Sequence, residues 1–192
     1  MAANKKKAKR LGAHIVFADE SGFLMVPLVV KTWAPVGRTP LHSYRQSGRE
    51  KLSVISAISV SPQKRRLGLY YQLFLDSIGQ HDVRGFLRRL LRHLRGPVIV
   101  LLDNASMHRG RLLRQLPDQQ RRLRLEYFPA YAPELNPDEG VWSLAKRSLA
   151  NTCPLDLDQL IQEVIDSIEQ IRSSQKKLRG CIRHSTLPIL LR

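Results

Sequence analysis

The segment PVIVLLDNA, residues 97–105, constrains the fold most. Val98 to Leu102 form an unbroken apolar run, so a strand built from them has no face to offer water and must be covered on both sides. Such runs are typical of strands covered on both faces, as in a sheet with helices above and below it. The run ends in Asp103, and an acid at the end of a buried strand has to be hydrated, paired or bound to a cation.

The remaining segments supply the layers. HIVFADESG reads as a short apolar strand entering a turn after Asp19. LVVKTWAP and KLSVISAISV read as two more strands rich in Val and Ile, split by the polar loop GRTPLHSYRQSGRE, and LGLYYQLFL fits a further strand. DVRGFLRRLLRHLRG sets Val83, Phe86, Leu87, Leu90, Leu91 and Leu94 at helical spacing before Gly96 and Pro97 stop it. GRLLRQLPDQQRR predicts a short basic helix, LRLEYFP a strand, and PDEGVWSLAKR an amphipathic helix. One long helix is expected from about Leu157 to Ile182. Its Leu157, Ile161, Val164, Ile168 and Ile171 follow a seam of a/d type, which about two heptads leave open between packing on its own domain and a dimer contact. A meander followed by alternating units predicts a mixed sheet with helices on both faces, and such sheets gather ligands at the carboxyl ends of their parallel strands. Two runs end there in an acid, at Asp19 and Asp103.

Charge narrows the partner. Thirty-two Lys and Arg against 16 Asp and Glu give a formal +16, which points to a polyanion and most simply to nucleic acid. Cys153 and Cys181 form no CxxC pair, which argues against a zinc site or a disulfide framework and fits a reducing cytosol. No apolar run approaches membrane-spanning length. The opening MAANKKKAKR has no apolar stretch behind it, because Asp19 and Glu20 interrupt one, so residues 1–12 are expected to form a flexible basic arm.

Three acid-bearing segments then invite comparison. Each has a structural reading: Asp103-Asn104 and Asp19-Glu20-Ser21-Gly22 suit turns, while Asn136, Pro137 and Glu139 suit the N-cap, N1 and N3 positions of a helix. Together they suit a different task. Phosphodiester chemistry commonly uses two divalent cations about 3.5–4 Å apart, and Mg2+ takes hard oxygen ligands such as carboxylates. Helix phase leaves the third acid open. Asp138 lies near the centre of the apolar face marked by Trp142, Ala145 and Leu149, and Glu139 lies on its flank.

FADESGF, VIVLLDNASMH and YAPELNPDEGVW resemble, in this order, the three signature blocks of DDE transposases, within the bacterial insertion-sequence group akin to mariner elements. KTWAPVGRTP resembles the segment that follows the first block, and Asp103 and Glu139 stand 36 positions apart (139 − 103). The resemblance spans about residues 13–150 and implies an RNase H-like fold. It maps the catalytic acids and metal ligands to Asp19, Asp103 and Glu139, with Asp138 as helix-start support and Glu20 as an acidic neighbour outside the ligand set. Asn104 and His108 match positions beside the second Asp, as candidate supporting residues, and Trp142 is most simply a core anchor. The implied activity is metal-dependent cleavage and strand transfer in DNA transposition, with Mg2+ as cofactor and Mn2+ able to substitute. The implied partners are the element ends and target DNA, a second copy of the chain in the active complex, and a helix-turn-helix protein from an upstream frame. That last expectation arises because only about a dozen residues precede the first strand, so the chain reads as a catalytic domain over residues 13–152 with a helical extension over residues 153–192. The implied setting is the bacterial cytoplasm. Arg109, Arg111, Arg114, Arg121 and Arg122 are candidate DNA contacts. The rival readings are another RNase H-like nuclease, such as a resolvase, and a catalytically silent remnant that binds DNA without sequence preference.

Overall fold

The computed structural model describes residues 8, 10–26, 29–31, 33–39, 51–63, 66–130 and 132–187. Five strands form one sheet: β1 (His14–Leu24), β2 (Lys51–Val60), β3 (Leu67–Phe74), β4 (Val98–Leu102) and β5 (Leu123–Tyr127). Their spatial order is β3-β2-β1-β4-β5. The first three run as an antiparallel meander, and β4 and β5 lie parallel to β1. Helices α1 (Gln80–His93), α2 (Arg111–Arg114), α3 (Leu116–Gln119), α4 (Asp138–Ser148), α5 (Leu157–Arg172) and α6 (Gln175–His184) accompany the sheet, with 3-10 turns at Ser106–Arg109 and Pro133–Leu135.

Period-two alternation divides the sheet between two cores. Ile15 and Phe17 of β1 and Val54 and Ile58 of β2 face α4, α5 and α6, meeting Val141, Trp142, Val164, Ile168 and Leu178. Val16 and Ala18 of β1, with Val98, Val100 and Leu102 of β4, face α1 and meet Phe86, Leu87 and Leu90. The apolar run of β4 is therefore buried along its whole length, with helices over both faces.

Four local expectations change. β1 does not turn after Asp19 but continues to Leu24, because Asp19–Leu24 stays paired with Ser56–Lys51 of β2. The described residues of LVVKTWAP form no strand: Val29, Val30 and Trp33 are exposed, and the Val30 amide donates to Asn151 Oδ1 at 3.0 Å rather than to a ladder. The basic helix after Gly110 is two single turns, divided at Gln115 ahead of Pro117, whose missing amide suits a helix start. The long C-terminal helix breaks at Ser173–Ser174, where Ser174 caps α6 by accepting from the Lys177 amide.

Within α5 the buried Val164, Ile168 and Ile171 pack on the same core as the sheet, with Leu157 and Ile161 against its margin, so the seam faces its own domain. Of the arm assigned to residues 1–12, Ala8 is buried and Leu11 packs on the core; residues 1–7 and 9 lie outside the described residues. So do residues 40–50, most of the polar loop expected before β2.

Candidate active site

Asp19 and Asp103 reach one end of the sheet for a topological reason. The parallel pairing of β1 with β4 ends at Phe17↔Leu101, and each aspartate lies two residues beyond its member of that pair. Asp19 shares the face of Phe17 and points beneath α4, where the Trp142 indole Nε1–H donates to its Oδ2 at 3.2 Å. Burial first, then the charges of Glu139 and Glu20, push its carboxyl up to about 7 against a backbone hydrogen bond at Glu20, and the charge of Asp103 adds a smaller push.

Asp103 is oriented by its own loop. Its Oδ1 accepts from the Ala105 amide at 2.9 Å and meets His108 Nδ1 at 2.5 Å. Among the described residues nothing hydrogen-bonds Oδ2, which leaves one oxygen for a ligand. His108 is wholly buried, and its other nitrogen, Nε2, meets Glu20 Oε1 at 3.0 Å. Burial would lower the imidazole, but the two carboxylates outweigh it and raise it to about 10, so His108 is an imidazolium between two anions. The His108 hydrogen bond in turn holds Asp103 below the usual carboxylate range. His108 thus ties β1 to the loop that follows β4.

The first turn of α4 separates the two acids that helix phase left open. Asn136 Oδ1 accepts from the Asp138 amide at 3.2 Å, and the Asn136 carbonyl accepts from the Glu139 amide at 3.2 Å. The expected capping box, with Glu139 at N3, does not form: the helix begins at Asp138, and Glu139 lies in its first turn, exposed to solvent. Asp138 points the other way and is fully buried; its Oδ2 accepts from Ser56 Oγ at 2.7 Å, while Oδ1 has no partner among the described residues. Burial drives its carboxyl well above the ordinary range.

Asp19, Asp103 and Glu139 line one open cleft of about 400 Å³, together with Asn104, Asn136 and an apolar wall that includes Phe128, Pro129 and Pro133. Among the described residues no three His, Cys, Asp or Glu side chains form a ready-made ligand set. The donor chemistry nevertheless fits a hard divalent cation: every candidate ligand is a carboxylate oxygen, and the mutual repulsion seen in Asp19 is what such a cation relieves.

The neighbouring residues divide. Asn104 Nδ2 donates to the Phe128 carbonyl at 2.5 Å, and its Oδ1 accepts from Arg109 Nε at 3.0 Å. The Arg109 guanidinium lies 4.6 Å from the centre of the Tyr127 ring, so it is held at the rim of the cleft. Arg111 and Arg114 on α2, and Arg121, are exposed. Arg122 is a correction: its guanidinium donates to the carbonyls of Leu91, Leu94 and Gly96, closing the end of α1, and is committed there rather than offered to a ligand. Trp142 is more than the core anchor its periodicity suggests, and no sequence signal distinguishes its hydrogen bond to Asp19 from plain burial.

A five-stranded mixed sheet of this order, covered by helices on both faces and carrying acids on β1, behind β4 and on α4, is the RNase H-like fold. The sequence profile described as DDE superfamily endonuclease matches residues 14–161, and the chain belongs to that family. No curated protein matches it by sequence comparison. Among solved structures it is similar to a Mos1 transposase paired-end complex with the left transposon end, at 19% identity and a TM-score of 0.58, covering 96% of this chain and 59% of that one. A Mos1 mariner paired-end complex with Mn aligns at 19% identity and a TM-score of 0.59, over 96% and 60% of the respective chains. The simian T-cell lymphotropic virus intasome, in complex with a PP2A regulatory subunit, aligns at 12% identity and a TM-score of 0.53, over 95% and 58%. These likenesses show the fold; the chain spans about three fifths of the Mos1 chains in the paired-end complexes.

Proposed function

We propose that this chain is the catalytic domain of a DNA transposase, with Asp19, Asp103 and Glu139 as its catalytic carboxylates. The observation that carries the reading is the common cleft lined by these three acids, which come from three separate elements of a DDE-family fold. Related folds have been described with transposon ends, with Mn and with Mg. Here the same three carboxylates would hold Mg2+, with Mn2+ as a substitute, and the bound ion would supply Lewis acidity and neutralise charge on the reacting phosphate.

The chain's own residues prepare that chemistry. Trp142 fixes one oxygen of Asp19. His108 and the Ala105 amide occupy Oδ1 of Asp103 and turn Oδ2 outward. Glu139 stands on a helix whose start is set by Asn136, and Arg109 waits at the rim as a phosphate contact. In cleavage, the oxygen of a water molecule bonds to phosphorus, the bond to the 3′ oxygen breaks, and that oxygen takes a proton. In strand transfer, the freed 3′ oxygen attacks a phosphorus of target DNA and displaces its 3′ oxygen.

The test is nicking of supercoiled DNA and joining of an oligonucleotide 3′ end, each with Mg2+ or Mn2+. Asp19→Asn, Asp103→Asn and Glu139→Gln should each abolish both reactions while the protein stays folded. Full activity in any of the three would remove that residue from the set, and nicking without joining would favour a simple nuclease.

A further inference from the structure

We infer that the cleft between the edge strand β3 and α1 is a second nucleic-acid site, which takes an unpaired nucleotide of a DNA strand. The inference rests on the reading that the chain acts on DNA. The cleft encloses about 500 Å³, within the range of about 300–1,000 Å³ usual for pockets that take a small-molecule-sized group. A nucleotide released from its complement is of that size, whereas a base-paired one is not accessible to a pocket.

The lining is chemically matched to a nucleotide. Tyr70 and His93 form a ring pair with centroids 5.8 Å apart and planes at 33°, leaving an aromatic wall on which a base can stack. Arg89 lies beside them, one helical turn before His93, and is held by Gln72 of the edge strand. Arg88 and Arg92 are exposed on the same helix. α1 carries four arginines and two histidines against one acid, Asp82, whose carboxylate is occupied by the Gly79 amide at 2.9 Å. This basic face has no role in the acid cleft. The opposite wall differs: Arg172 is paired with Glu169 at 2.8 Å, and Glu169 also accepts from the Tyr71 hydroxyl, so the phosphates belong on the α1 side.

The cleft is separate from the acid cleft. Tyr71, which lines it, stands in the same cross-sheet row as Asp19 through the pairs Asp19↔Ser56 and Ser56↔Tyr71. Ser56 between them is fully buried against Asp138, so the two clefts open separately.

The experiment is fluorescence anisotropy with a labelled oligothymidylate and with a blunt duplex of equal length, at several salt concentrations and without divalent ions. His93→Ala and Arg89→Gln/Arg92→Gln alter exposed side chains, so the fold should survive. His93→Ala should weaken single-strand binding by about 5- to 150-fold and leave duplex binding within about twofold. Arg89→Gln/Arg92→Gln should lower the single-strand salt slope by about 0.7 for each phosphate that is no longer neutralised. Equal weakening on both DNAs would reduce the patch to general electrostatics and overturn the inference. So would unchanged single-strand binding in both variants, the result expected if the β3 edge receives a peptide strand instead. Asp19→Asn should bind oligothymidylate like the unaltered chain while losing cleavage, so failure of this cleft is distinguished from failure of the catalytic reading.

Discussion

The decisive residues are two neighbours with opposite fates. Asp138 and Glu139 are adjacent in sequence, yet one is fully buried against Ser56 and the other is exposed in the cleft. Glu139→Ala should lower cleavage by more than about a hundredfold, because on the proposed reading it removes a ligand, which should cost more than the roughly 10- to 100-fold typical of an outer partner. Asp138→Asn keeps an acceptor for Ser56 Oγ and should retain most activity; a comparison of the two rates with matched thermal melts decides it. His108→Ala should fall in that 10- to 100-fold range, with the loss appearing as a higher requirement for Mg2+, read from rates across an ion titration. Asp19 predicts a pH effect. Its folded carboxyl sits at about 7 against an ordinary value of 3.8, so the stability it contributes is fully present below about pH 4 and is lost as pH rises through about 7. Asp138 shifts in the same direction. In chelator the urea midpoint should therefore fall between pH 5 and pH 8, and Asp19→Asn should flatten that fall. Adding Mg2+ at pH 8 should restore part of it, since the ion binds the deprotonated carboxylate.

At the level of elements, stability gathers in the layer that frames Glu139. Ile168 is wholly buried between α5 and the sheet, and Ile168→Ala should cost about 2–5 kcal/mol. Asp156 caps α5 by accepting from the Gln159 amide at 2.8 Å, and Asp156→Ala should cost about 1 kcal/mol. Chemical denaturation of both variants measures the difference. This layer also marks where sequence reasoning holds and where it stops. β4 was legible because a short all-apolar run rich in Val and Ile, stopped by Asp103, suits a strand covered on both faces, and α1 because its apolar positions recur at helical spacing before Gly96, which adopts φ +81°. The extension of β1 past Asp19 was not legible, since ESGF carries turn-forming residues and only the pairing to β2 holds it extended. The break at Ser173–Ser174 was hidden for a related reason, as apolar spacing continues from α5 into α6 while a local serine cap redirects the chain. Asp19, Asp103 and Glu139 stand out as acids beside apolar runs. The hydrogen bonds from Trp142 and His108 that orient two of them span 123 and 5 positions, and neither spacing has a signature.

For the whole molecule, the governing quantity is a formal charge of +16. Binding to duplex DNA through phosphates releases condensed counterions, so log affinity should fall with log salt by about 0.9 for each phosphate neutralised. Exposure assigns the arginines unequal shares. Arg111, Arg114 and Arg121 are exposed on the β5 side of the sheet, and Arg109 is anchored at the cleft rim by Tyr127 and Asn104. Replacing Arg111, Arg114 and Arg121 together with Gln should lower the duplex salt slope by up to about 2.7, three phosphates at about 0.9 each, with little change in melting temperature. Arg122→Gln should do the reverse, because its guanidinium closes the carbonyls at the end of α1: melting should fall while the salt slope holds. Arginine contacts to phosphate carry no base readout, whereas each good bidentate contact to a base edge would add about 1–3 kcal/mol of discrimination. Two unrelated duplexes of equal length should therefore bind this chain within about threefold of each other. A preference of a hundredfold or more at physiological salt would place base recognition in this fold and overturn the phosphate-only account.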